Sequence, residues 1–190
     1  MKNESPMLPD VIAGPILRRL TEQQLVLWLV ASRPLELSLS LYAHGSGEPF
    51  FSGKVRDFSP EPLQIGVHAY VYLIDYSPTE PFPVNQLMEY DLLIPADDGA
   101  VGLKETVPTL LYPGQKRPLF VLKMQLDHIF HGSCRKPHYP SADGLLRIDE
   151  ELQLNLDDQE KRPALLMMSG DQIYADDVGG PMLVACLLYT

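Results

Sequence analysis

The sequence predicts an antiparallel β-sandwich followed by the opening βαβ part of an α/β domain. Three observations carry this. From Val11 to about Tyr76, apolar runs of strand length alternate with turn signals. The chain holds 18 Pro, against a usual share of ~5%, and they stand mainly between short apolar runs, where they interrupt helices. After Lys116-Arg117-Pro118 the rhythm becomes strand, loop, helix, strand, loop, helix. The expected organisation is a sandwich domain over residues 1–118 and an incomplete α/β part over residues 119–190.

Leu25 to Val30, with the only Trp, reads as a core strand. In the next, Leu35, Leu37, Leu39 and Leu41 alternate with Glu36, Ser38 and Ser40, so one face is buried and the other wet. His44 to Pro49 is a turn, and Val67 to Ile74 repeats the strand signal. The buried face is expected to include Trp28, Leu37, Leu39 and Val71. Four or five such strands at short spacing suggest an immunoglobulin- or fibronectin-like sandwich. Tyr90 to Ile94 is one strand within a Pro-, Gly- and Asp-rich stretch. Leu119 to Gln125 reads as the first strand of the second part, and Asp127 to Pro140 as a loop. A helix is expected from Ser141 to about Asp158, capped by Ser141 or Asp143, with Leu145, Ile148, Leu152 and Leu156 on one face. Ala164 to Met168 has the continuous apolar character of a strand buried on both faces. A first-turn proline, Pro181, opens a final helix. A single βαβ unit cannot cover its own faces, which predicts either self-association through the incomplete part or a poorly ordered C-terminal half.

Composition narrows the function. The formal net charge of −10 comes with scattered Lys and Arg, which argues against nucleic-acid binding. A phosphate-handling site in such a chain must draw positive charge from metal or from local Arg and Lys. Two Cys are too few for a disulfide framework and fit a reducing compartment. The amino terminus lacks the apolar segment of a secretory signal, so a cytoplasmic location is expected. Arg18-Arg19 before the apolar stretch Leu25 to Ala31 resembles an export signal only superficially, because Glu22 and two Gln intervene. Pro181 to Thr190 is about half the ~20 residues that a membrane helix needs, so no span is predicted.

Loops at the carboxyl ends of parallel strands carry the functional groups of open α/β sheets. One such loop holds His128, His131, Cys134, Arg135 and His138; the other holds Asp171, Tyr174, Asp176 and Asp177. Their separation suits one crossover, which allows Cys134 and Asp171 to converge on one ion. Carboxylate, phenolate and thiolate are anionic donors suited to a strongly Lewis-acidic ion such as Fe(III). On general grounds Cys134 is an inert small hydrophobe and Asp171 a turn or capping residue. Asp176 and Asp177 suit a solvated turn, His131 and His138 suit exposed loop positions with help to a metal as the alternative, and His128 is uncommitted. Arg135 either meets a substrate phosphate or pairs with an acid. Cys186 stands in an apolar run and is expected to be buried and silent.

His131-Gly132-Ser133-Cys134-Arg135-Lys136-Pro137, followed by Gly170-Asp171-Gln172-Ile173-Tyr174-Ala175-Asp176-Asp177 after a strand, resembles the alkaline phosphatase D-like metallophosphatases. Val11 to Arg18 and the β-rich region resemble the amino-terminal sandwich of such proteins. The resemblance implies a calcineurin-like phosphoesterase in which Cys134 ligates iron, Asp171 bridges two metals and Tyr174 completes the iron shell. A second divalent metal, calcium or zinc, and a phosphate ester substrate are also implied. The family's Asn-His-Asp motif and later histidines have no counterpart after Thr190, so the chain is expected to be truncated and inactive alone. The competing reading is a non-catalytic β-sandwich binding module with a remnant βαβ unit.

Overall fold

The computed structural model describes residues 8–96, 99–136, 140, 143–172 and 174. They divide into two compact units: residues 8–82 with the described part of 88–120, and residues 83–87 with the described residues from 121 onward.

In the first unit the strands are β1 (Val11–Thr21), β2 (Gln24–Ala31), β3 (Ser38–Ala43), β4 (Phe51–Lys54), β5 (Leu63–Ile65), β6 (Ala69–Tyr76), β7 (Leu87–Ala96), β8 (Gly99–Val101) and β9 (Leu119–Val121). A short helix, α1 (Leu103–Thr106), follows β8. One sheet runs β1-β2-β6-β5 and the other β4-β3-β7-β8, with β9 also paired to β7. Every ladder along these two paths is antiparallel. Alternation supplies the core: Leu25, Leu27, Leu29, Tyr72 and Ile74 from the first sheet, and Leu39, Leu41, Tyr90, Leu92 and Ile94 from the second, are all buried. Phe51 and Tyr76 join the sheets with ring centroids 4.1 Å apart. Burying so many Leu side chains at ~1.5–3 kcal/mol each is what stabilises this unit.

The alternation from Leu35 to Leu41 places all four Leu in the core, as expected, although the ladder itself begins only at Ser38, and Ser40, expected on the wet face, is buried with its hydroxyl 3.0 Å from that of Ser52. Trp28 and Val71 are a correction. Both are half-buried and lie on the face opposite Leu27, Leu29 and Tyr72. Residues 24–31 are apolar at nearly every position, so periodicity could not set the phase, and pairing of Trp28 with Leu73 turned it outward.

The second unit contains β10 (Ile129–Ser133), α2 (Gly144–Leu154) and β11 (Leu165–Ser169). β10 and β11 are parallel, in register from Ile129 opposite Leu165 to Ser133 opposite Ser169. The first parallel strand is therefore β10, inside the stretch read as a loop. Leu119 to Gln125 supplies only β9, which pairs with β7. His131, Gly132 and Ser133 are poor or neutral strand formers, and the tertiary ladder overrides that preference. Asp143 caps α2, its carboxylate accepting from the Leu145 N–H at 3.1 Å, while Ser141 lies outside the described residues. The helix is shorter than expected, ending at Leu154. Lys123 Nζ holds the loops together by pairing with Asp127 at 2.8 Å and donating to the carbonyls of Gln159 and Glu160 at 3.0 and 3.1 Å.

β11 departs from the expectation of a strand buried on both faces. Leu165, Leu166 and Met167 are 40%, 46% and 45% exposed. Among the described residues of this unit none is fully buried, because two strands and one helix offer too few covering layers. No described helix is long and apolar enough to cross a membrane.

Candidate functional site

Parallel pairing sends the loops after β10 and β11 out of the same sheet edge, and exact register makes Cys134 and Gly170 neighbours. The chain turns sharply at Cys134, whose φ of 54° is in the left-handed region that costs a non-glycine residue roughly 1–2 kcal/mol. Across from it Gly170 also has a positive φ, 73°, and needs to be glycine. A Cβ there would collide with Ser133 Oγ and lie 3.4 Å from Cys134 Sγ. Arg135 N–H donates to the Asp171 carbonyl at 2.8 Å, tying the two loops together.

Three hydrogen-bonding groups surround the exposed Cys134 sulfur. The Ser133 hydroxyl lies 3.3 Å away, and the Tyr174 hydroxyl and the Asp171 backbone N–H also hydrogen-bond to it. Together these hold the thiol below its usual range, Ser133 contributing most, while the nearby Asp171 carboxylate opposes them. The structure thus brings Cys134, Asp171 and Tyr174 to one strand-end site. Alkylation of Cys134, followed peptide by peptide against pH, is expected to reach half-maximal rate below the ~8.5 of an ordinary cysteine. Ser133→Ala removes a bond that favours the thiolate and should move that midpoint upward; a wild-type midpoint at or above the ordinary value would contradict this.

The other sequence candidates have other engagements. The Arg135 guanidinium grips Asp143, with Nη2 at 2.7 Å and Nε at 3.1 and 3.2 Å from its carboxylate oxygens, and this holds Asp143 below the usual carboxylate range. That is the acid-pairing alternative for Arg135. His131 Nε2 and Ser169 Oγ share a 2.6 Å hydrogen bond across the paired strands. His128 Nδ1 faces the Lys161 carbonyl at 3.4 Å. His138, Asp176, Asp177 and Cys186 lie outside the described residues.

Two contributors had no sequence signal of their own. Ser133 stands inside the motif string without an assigned role, yet it contacts the sulfur. Gln172 folds the turn after β11 by donating from Nε2 to the carbonyls of Ser169 and Gly170, each at 3.2 Å. Its buried Oε1 has no hydrogen-bond partner among the described residues. Among the described residues no group of three or more His, Cys, Asp or Glu side chains forms a metal cage, so a metal here would depend on the Tyr174 phenol as third donor.

The chain matches no known protein family, no curated protein and no solved structure in direct comparison.

Proposed function

We propose that the chain serves a metal-dependent phosphoesterase of alkaline phosphatase D type, hydrolysing phosphomonoesters or phosphodiesters. The observation that carries this reading is the convergence of a thiol, a carboxyl-bearing loop and a phenol at the ends of two parallel strands, with the thiol already biased toward thiolate. The donor set suits Fe(III): Cys134, Asp171 and Tyr174 would hold it, and the bound ion would supply Lewis acidity toward a phosphoryl oxygen. Gly170 keeps the space beside the sulfur clear, and the Arg135–Asp143 pair fixes the loop that presents Cys134. A second divalent metal, calcium or zinc, would share Asp171 and needs ligands beyond the described residues. A reducing compartment such as the cytoplasm suits a working thiolate.

Three ligands along one sheet edge hold one ion, whereas an in-line displacement between two ions requires both and an oriented nucleophile. Turnover by this chain alone is therefore not expected. The uncovered apolar side chains of β11 favour self-association. One observation favours a second reading, a non-catalytic binding module: among the described residues, every fully buried apolar one belongs to the sandwich unit.

Ferric titration of the whole chain separates the two. A visible tyrosinate-to-iron charge-transfer band that disappears in Tyr174→Phe, without hydrolysis of a nitrophenyl phosphate ester in the presence of iron, calcium or zinc, is the expected result. Absence of the band leaves the binding module. Turnover that is lost in Asp171→Asn would show that the chain or its oligomer completes the site.

A further inference from the structure

The outer face of the β1-β2-β6-β5 sheet carries an apolar surface that the sandwich core does not use. Strand pairing sets it out in rows. Ile16, Trp28 and Leu73 stand side by side across β1, β2 and β6, and Val30, Val71 and Leu63 across β2, β6 and β5. Ile16 and Leu73 are each 47% exposed and Leu63 66%, while Trp28, Val30 and Val71 are half-buried. Adjoining apolar side chains on this scale, among them the only Trp of the chain, make a surface of the kind that a partner covers.

The edges of the sheet are a poorer place for a partner. β1 is an edge strand of 11 residues, but its ladder with β2 shifts register at three places, it contains Pro15, and Arg18 and Arg19 stand exposed on it. Bulges, proline and charge keep an edge strand from pairing with another chain. The opposite edge, β5, has only three residues. A partner is therefore expected on the face.

Charge decides which partner. The next row along the strands is Arg19, Val26 and Asp75, a cation on β1 and an anion on β6 with β2 between them. Arg19 is exposed, and the half-buried Asp75 carboxylate accepts from Gln24 Nε2 at 2.8 Å. Neither pairs with an opposite charge among the described residues. A second copy turned over about a two-fold axis along β2 lays β1 on the partner's β6. Each Arg19 then meets the partner's Asp75, each Ile16 meets the partner's Leu73, and the two Trp28 rings meet on the axis. A two-fold axis across the strands would instead set Arg19 against the partner's Ala13 and Asp75 against the partner's Val71, burying both charges without a counter-ion. The row is thus complementary to its own copy in one orientation.

We propose that two copies of this chain pack face to face through this sheet, about a two-fold axis that runs along β2. The inference stands independently of the phosphoesterase reading.

Sedimentation equilibrium of the whole chain from about 1 µM to about 200 µM should show a monomer passing into a dimer, with Trp28 emission moving to the blue as it does so. A two-fold axis repeats every substitution, so Ile16→Glu and Leu73→Glu should each weaken the dimer at least about tenfold. Arg19→Glu and Asp75→Arg should each weaken it to a similar extent. The double variant restores opposite charges across the axis and should recover most of that loss. Ile16 and Arg19 are exposed, so their variants carry the test should Asp75→Arg not fold. A chain that stays monomeric over this range, a dimer as tight in Ile16→Glu and Leu73→Glu as in the wild type, Arg19→Glu without effect, or a folded double variant no tighter than either single one would overturn the proposal.

Discussion

Replacing Glu89 by Ala is expected to destabilise the sandwich unit by about 3–5 kcal/mol, the usual cost of leaving one partner of a buried ion pair uncompensated. Glu89 stands on β7, and its side chain is only 9% exposed. One carboxylate oxygen lies 2.9 Å from His44 Nδ1 and accepts from the Gly45 N–H, also at 2.9 Å. The other meets Arg117 Nε at 3.1 Å. Arg117 is 12% exposed, lies 3.6 Å over the Tyr42 ring and donates to the Ser46 carbonyl at 3.0 Å. One carboxylate thus ties the turn after β3 to the segment that enters β9. Without it, the Arg117 guanidinium loses its counter-ion and the Gly45 N–H its acceptor. Urea unfolding monitored through Trp28 reports on this unit, since it is the only Trp and lies in β2. A double variant, Glu89→Leu with Arg117→Met, removes both charges together and should recover most of the loss. A single variant as stable as wild type would show that the network contributes no net stability.

Glu89 also shows where sequence reasoning stops. A glutamate in Leu87-Met88-Glu89-Tyr90 carries no sign that it is buried; only an arginine arriving 28 residues later makes burial tolerable. The strand rhythm of the sandwich was legible because Leu35 to Leu41 alternates strictly, and a strict period of two can face the core in only one way. Trp28 failed the same reasoning because its neighbours are apolar on both sides. β10 was read as a loop because His, Gly and Ser are weak strand formers, and its partner lies beyond a helix. In contrast, a meeting of Cys134 with Asp171 followed from one topological rule, that neighbouring parallel strands release their loops at a common edge, although the first strand was placed too early in the chain and Tyr174 was singled out by the family resemblance. The roles of Ser133 and Gln172 depend on atomic distances that no spacing encodes.

Among its described residues the second unit has an assembled strand edge but no fully buried side chain. Cys134 sits in a left-handed turn and Gly170 against Ser133, while Leu165, Leu166 and Met167 remain open. Local strain at Cys134 is tolerated because the ladder, the Arg135–Asp171 backbone bond and the Arg135–Asp143 pair each constrain that loop. The strand-end geometry thus depends on hydrogen bonds rather than on apolar burial. Substitutions at the site should therefore act on binding far more than on folding of the sandwich.

Asp171→Asn is the sharpest case. The change keeps the shape of the side chain and the backbone N–H that supports Cys134, but it removes an anionic oxygen donor. Residues that merely orient metal ligands already contribute about 10–100-fold to affinity, so loss of a ligand itself should weaken ferric binding by more than about 100-fold. Removing the carboxylate also removes the negative charge that opposes thiolate formation at Cys134, so the thiol should ionise at still lower pH. The two readouts therefore move in opposite directions: iron affinity falls while Cys134 reactivity near neutral pH rises. A merely structural aspartate would lower both by loosening the turn. Ferric affinity measured by competition with citrate, and alkylation of Cys134 in the same variant, decide between these outcomes. Trp28-monitored unfolding of the sandwich should remain unchanged, and an iron affinity equal to that of the wild type would exclude Asp171 as a ligand.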